Sequence, residues 1–346
     1  MSGRREYDGS RVHLSLAGSG DPWSSLSKLR KRILRELHDT PDINEIASIL
    51  KMNHDELLSE IRPMMDASLV HKSSEGYRPS FLVTDEDETM TVFNHSCEFS
   101  KNLADIVEKN MDDIRTSYNE LEISKSYDFD DFAFFLVGGR ILDIKLLEKL
   151  TMGNRVMPPA PARPSPERPD SRYYFFMVEG DVTHLGGFGQ DDSNMPWAKW
   201  YFITFGQNVI DGKANPERRK LEERYSEIIE SGVCQCPEDI GEALGIPIVT
   251  LLDSDLWEAT ADIHAEYLCQ CYEQQNPSIQ ALHTGLKSGQ YAPHSFGEFY
   301  CWYAHIAYAS AIEILEERGV IFIPPSRFQA AVWCRERDNE GLLSEF

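Results

Sequence analysis

The stretch Ile33–Thr84, ILRELHDTPDINEIASILKMNHDELLSEIRPMMDASLVHKSSEGYRPSFLVT, decides how the N-terminal part of this chain folds. Its apolar residues fall into short periodic runs separated by turn residues. Leu29, Ile33, Leu34 and Leu37 recur at helical spacing, so a first helix begins at Ser25 or Ser27 and buries them. Lys28, Lys31, Arg32 and Arg35 fall mostly on its other side. Thr40-Pro41-Asp42 is a turn, and Asp42 caps a second helix through Ile43, Ile46, Ala47 and Leu50. Lys51-Met52-Asn53 makes a tight connection. A third helix opens on the Asn53/Glu56 capping pair, with Leu57, Leu58, Ile61 and Met65 as its core face. Leu69-Val70, the turn Ser73-Ser74-Glu75-Gly76 and Tyr77–Val83 then read as two short strands around a glycine-containing turn, which is what a wing requires.

That order of elements resembles the ArsR-like winged helix regulators. The resemblance runs from about Ser25 to Thr84, residues 25–84, and implies a winged helix-turn-helix domain of a transcription regulator. A helix N-terminus presented to the major groove carries base contacts. The residues expected at a DNA interface are therefore Lys51, Asn53, His54, Ser59 and Arg62 on and before the third helix, with Lys72 and Arg78 in the wing. Asp55, Glu56 and Glu60 work against phosphate approach. They keep open the alternative of a winged helix used for protein contact.

Charge divides the chain in two. Up to Thr84 there are 12 Lys+Arg and 12 Asp+Glu; the remainder holds 22 against 45 and accounts for the whole net charge of −23. The C-terminal part should repel nucleic acid, so DNA contact has to come from the N-terminal module. Length and an ordinary apolar content predict more than one domain with a sizeable core. The longest apolar run, Phe299–Ile312, is interrupted by His305 and Ser310 and is too short to span a bilayer, so no membrane contact and a cytoplasmic location are expected. Seven cysteines show no disulfide spacing. The pairs Cys234/Cys236 and Cys269/Cys271 tempt a zinc reading, but residues two apart on a helix point away from each other, so no metal is expected.

The sequence predicts an α+β chain in three parts: a flexible tail over 1–24, the winged helix over 25–84, and an acidic assembly or sensing domain over 89–346. That last domain carries an antiparallel aromatic-rich sheet and long helices. Asp85–Glu88 reads as a solvated boundary. Leu103, Val107, Met111, Ile114, Tyr118 and Leu121 then make a narrow stripe on one long helix, suited to a dimer seam. A break is expected at Gly138-Gly139 and a proline-rich loop at 157–169. Tyr173–Val178 and Trp200–Phe205 are expected as antiparallel strands of one sheet, joined by a hairpin at Gly186–Gly189. Their aromatic residues offer a pocket for a small apolar or cationic ligand. Asn215-Pro216 starts a helix, Asp239–Ala259 has the cadence of a second helix-turn-helix without basic residues, Ser295 and Glu298 suggest a capping box, and Val320–Ile323 suggests a strand. His305 reads as a buried, satisfied histidine. No nucleophile elbow, P-loop or nucleotide fingerprint is present.

The function expected from these features is a dimeric DNA-binding transcription regulator with no cofactor, not an enzyme. Its partners would be double-stranded DNA, a second copy and a small-molecule or protein effector. A protein-interaction or scaffold role is the rival reading, and an unrecognised enzyme is third.

Overall fold

The computed structural model describes residues 9–165, 168–207 and 216–336. The first eight residues of the expected tail, Asn215 of the expected helix cap and the C-terminal ten residues lie outside these. Strand β1 (Val12–Gly18) stands where the sequence suggested a flexible tail. Three helices follow: α1 (Lys28–Asp39), α2 (Ile43–Leu50) and α3 (His54–Asp66). A hairpin of β2 (Val70–Lys72) and β3 (Tyr77–Pro79) comes next, and then β4 (Leu82–Thr84). Local signals placed the helices correctly. Ser27 Oγ accepts the Arg30 amide, Asp42 accepts that of Asn44, and Asn53 and Glu56 close a reciprocal capping box. On α3 it is Met64 that is buried, while Met65 faces solvent.

β4 leaves the hairpin and pairs in parallel with β5 (Tyr173–Glu179), whose other edge takes β1 antiparallel, Val12 opposite Glu179 and Gly18 opposite Tyr173. Because side chains alternate along a strand, β5 serves two cores at once. Tyr173, Phe175 and Met177 pack with Ile33, Leu37, Ile61 and the rest of the N-terminal helices. Tyr174, Phe176 and Val178 enter the main core of the chain. The expected boundary after Thr84 is therefore a shared sheet rather than a linker. Asp85 and Glu88 form the capping box that starts α4 (Glu86–Asn119).

α5 (Phe129–Ala133), a π-helical stretch Phe134–Lys145 and α6 (Leu146–Thr151) run without a break through Gly138-Gly139. Gly138 is needed for close approach rather than for a turn: a Cβ there would lie 2.5 Å from the Phe205 ring. The remaining elements are β6 (Phe188–Asn194), β7 (Trp200–Gln207), α7 (Pro216–Ser231), α8 (Pro237–Leu244), β8 (Ile248–Val249), α9 (Leu251–Thr284), α10 (Ser288–Tyr291), α11 (Ser295–Glu317) and β9 (Ala330–Cys334). The second sheet has the order β6-β7-β9-β8, so Tyr173–Val178 and Trp200–Phe205 belong to different sheets. Gly319, at φ +69°, ends α11, and Val320–Ile323 is not a strand. The Asp239–Ala259 echo is α8, β8 and the start of α9, where Trp257 is buried. Among the described residues no helix is long and apolar enough to cross a membrane.

The stripe expected as a dimer seam is occupied from within. Leu103, Val107, Met111, Ile114, Tyr118 and Leu121 are all buried in the main core, where α4 packs on α11 and α9. Helical spacing shows that a face is apolar but not what covers it, and here the chain's own helices do.

Glu298, read from sequence as a capping residue, is instead wholly buried at the start of α11. It accepts the Leu82 amide at 2.7 Å, the Arg163 guanidinium at 2.5 Å and the Phe175 amide at 3.4 Å. Arg163, from the proline-rich loop, also donates to the Tyr173 carbonyl at 2.8 Å. Burial raises the Glu298 carboxyl from its ordinary 4.5 to about 7, against the opposing pull of Arg163. An acid that holds its proton more tightly when folded stabilises the fold fully below its unfolded value and loses that contribution as pH rises to its folded value. The protein is therefore expected to lose about 3 kcal/mol from this group over that window. Glu298→Gln, which cannot ionise, should flatten the slope. Melting curves of both proteins between pH 4.5 and 7 check this, and identical pH profiles would contradict it.

Candidate nucleic-acid interface

α3 buries Leu57, Ile61 and Met64 and turns His54, Asp55, Glu56, Ser59 and Arg62 outward. Lys51 precedes it, exposed and in the left-handed region (φ 55°, ψ 40°), where it ends α2. Asn53 is exposed, but its side-chain oxygen is committed to the Glu56 amide at 2.9 Å. The Ser59 hydroxyl donates to the Glu56 carbonyl at 2.7 Å, which leaves it able only to accept from a ligand. His54 is half exposed, with Nδ1 3.8 Å from Asp55. Arg62 forms no ion pair among the described residues and projects from the middle of the helix. Of the three acids that opposed DNA contact, Glu60 is paired with Arg30 of α1 at 2.9 Å. Asp55 and Glu56 stay exposed at the helix N-terminus, where backbone amides favour negative charge.

The hairpin supplies one of its two expected cations. Lys72 is exposed, its ammonium 5.6 Å from the Tyr77 ring. The hairpin turn is pinned to the turn between α1 and α2: Tyr77 N–H donates to the Pro41 carbonyl at 3.2 Å, and at Gly76 (φ +141°) any Cβ would run into Pro41. Arg78 points the other way. Its Nη1 donates to the Leu37 and His38 carbonyls, both at 2.9 Å, and its guanidinium lies 4.9 Å from the Tyr291 ring. It closes the C-terminus of α1, where a cation meets orphan carbonyls, and is removed from the expected phosphate-contacting set for that reason.

Arg78 belongs to a polar knot between α1, α4 and α10 that sequence reading missed. His38, fully buried, contacts the Tyr291 hydroxyl at 2.7 Å through Nδ1 and Glu88 at 3.0 Å through Nε2. The Lys287 ammonium bridges Asp85 at 2.6 Å and Asp39 at 3.2 Å. Arg35 joins Asp39 to Glu179 of β5, at 2.9 and 2.6 Å. Burial alone would raise the Asp39 carboxyl, but Arg35 and Lys287 outweigh it and hold it below the ordinary carboxylate range. His38, Asp39 and Asp85 lie close enough to share a cation, and the Lys287 ammonium is the cation between the two carboxylates. Nothing local announces this knot, because His38 and Tyr291 are 253 residues apart.

The aromatic strands do not gather into one pocket: Tyr173 and Tyr174 face different cores, and Phe205 packs on Phe134 and Phe188. An open groove of about 650 Å³ lies elsewhere, between Tyr127, Asp128, Gly241, Ile246, Arg327 and Phe328. The other sequence candidates have structural partners. His305 Nδ1 lies 2.7 Å from the Cys301 carbonyl, and Cys236 stands at the N-cap of α8.

The class these features describe is a small regulator-type module of three helices and a hairpin, set on a larger body of helices and sheet. Residues 25–82 match the family described as Methanogenesis regulatory protein FilR1, N-terminal domain, a transcription regulator domain. No curated protein and no solved structure matches the chain.

The two hairpin cations should separate on mutation. Arg78→Ala is expected to destabilise the fold by about 1–3 kcal/mol, since it strips partners from buried carbonyls. Lys72→Ala should change stability by less than about 0.5 kcal/mol. Denaturant titration of the two variants measures both; equal losses would place Arg78 at the surface after all.

Proposed function

We propose that this chain is a DNA-binding transcription regulator in which α3 and the hairpin form a winged helix that contacts duplex DNA, while the larger part assembles or senses. The observation that carries the reading is that Lys51, His54, Ser59, Arg62 and Lys72 all reach solvent around α3 and the hairpin. These residues are exposed on the one part of the chain free of net negative charge, and the family match to a regulator domain covers them. Pairing of Glu60 with Arg30 further lowers the acidity facing a phosphate backbone. Few cations are in position, so a single module binds weakly. Two modules on a pseudo-palindromic site, one helical turn apart, supply the affinity.

Arg62→Ala should cost about 1–3 kcal/mol and relax preference at one base pair per half-site. Lys72→Ala should weaken binding to all sequences and flatten the salt dependence by about one unit per half-site. Glu60→Gln should tighten nonspecific binding by releasing Arg30. Titration of labelled duplexes at several salt concentrations reads all three. A parent protein that shows no salt-dependent binding at low ionic strength would sink the DNA reading. A protein-contact role would then stand in its place, favoured by the exposed Asp55 and Glu56 at the tip of α3.

A further inference from the structure

The groove between Tyr127 and Phe328 is formed by three segments far apart in the chain. They are the stretch Ser124–Asp131 after α4, the end of α8 with the turn that follows it, and the residues just before β9. Each wall is held from behind. The Tyr118 hydroxyl donates to the Tyr127 carbonyl at 2.8 Å, and Asp253, buried at the start of α9, accepts the Glu122 and Ile123 amides at 2.7 and 3.1 Å. Gly241 lets α8 close onto the turn, since a Cβ there would lie 2.3 Å from the Ile248 side chain. The Phe328 ring meets that of Tyr127 edge-on, with centroids 6.0 Å apart. At about 650 Å³ the groove falls within the roughly 300–1,000 Å³ typical of small-molecule sites, which are largely formed before the ligand arrives.

Its lining joins an apolar floor to charges of both signs. Phe328 and Ile246 are buried, and Tyr127 and Ile248 are half-buried. Of the ionised groups, Lys125 is paired with Glu122. Asp128, Asp131, Glu242 and Arg327 are exposed and form no ion pair among the described residues, although all four line one groove. Arg327 lies instead over Phe328, its guanidinium 4.6 Å from the ring centre. Elsewhere in the body Arg115, Arg140, Arg155, Arg163, Arg318 and Arg335 each close on a carboxylate. A ligand with positive charge alone is opposed by Arg327, and one with negative charge alone by three carboxylates. A ligand that carries both charges satisfies the two sets at once. We propose that the groove binds a short zwitterionic peptide: Arg327 takes its terminal carboxylate, its terminal ammonium lies among Asp128, Asp131 and Glu242, and its apolar side chains rest on the floor. A guanidinium suits the first role because its planar fork meets both oxygens of a carboxylate.

The inference goes beyond the regulator reading and is tested without DNA, so either can fail alone. Calorimetric titration of the full chain with the dipeptides Leu-Leu, Leu-Phe and Phe-Leu should give a dissociation constant of roughly 10–100 µM for at least one. That is the range for a ligand of about twenty heavy atoms. Amidating the C-terminus of the binding peptide, or acetylating its N-terminus, should each weaken binding roughly ten- to hundredfold. Arg327→Ala should weaken the free peptide by the same factor and bind the amidated one as the parent does. Asp128→Asn with Asp131→Asn should behave in the same way toward the free and the acetylated peptide. All three sites are exposed, so melting should be unchanged, and Arg327→Gln supplies the same readout should the alanine variant melt early. Lys101→Ala, exposed and outside the groove, should bind like the parent. Absence of binding by all three dipeptides overturns the proposal. So does a parent that binds the blocked peptides as tightly as the free ones, or a folded Arg327→Ala that binds the free peptide as the parent does.

Discussion

One buried carboxylate ties strands at the edge of the N-terminal module to the helix and loop of the larger body. Glu298 starts α11, yet its two oxygens are turned to the Leu82 amide of β4, the Phe175 amide of β5 and the guanidinium of Arg163. A carboxylate without partners at that depth would be prohibitively costly, so the surrounding backbone and the proline-rich loop must hold their places for the group to be tolerated. The ion pair does not add much stability by itself. Both oxygens of the carboxylate have donors, from the Leu82 and Phe175 amides and from Arg163, which in turn donates to the Tyr173 carbonyl.

The shared strand β5 does the apolar counterpart of this work. One of its faces completes the core of α1, α2 and α3, and the other completes the core of α4 and α11. The polar knot of His38, Tyr291, Glu88, Lys287 and Arg78 closes the same junction from the C-terminal end of α1. A sheet, a buried ion pair and a knot all cross this junction.

Charge is apportioned to match. The neutral N-terminal part carries the exposed cations of α3 and the hairpin, while in the acidic body Glu258, Asp262 and Glu266 of α9 pair with Lys145, Lys149 and Arg155. The net negative charge of the body opposes approach of any polyanion to it. Within the module the same economy appears in the Arg30–Glu60 pair, which takes one acid out of the outward face.

Much of the local structure was legible in the residues alone. Ser27, Asp42, Asn53 and Gly319 cap or end their helices as their chemistry dictates, and the order of three helices and a hairpin follows from periodicity and turn residues. These are interactions within a few positions of chain, so the sequence carries them whole. Tertiary structure decided the rest. Val12, Leu14 and Leu16 alternate as a strand does, but pairing needed β5, more than 150 residues on. Arg78 looked like a wing cation until Leu37, His38 and Tyr291 surrounded it. Leu252, Leu256, Ile263 and Tyr267 of α9 are spaced comparably to the α4 stripe, yet they are exposed while the α4 stripe is core. Periodicity records that one side of a helix avoids water; only packing of distant segments determines whether the chain itself supplies the cover.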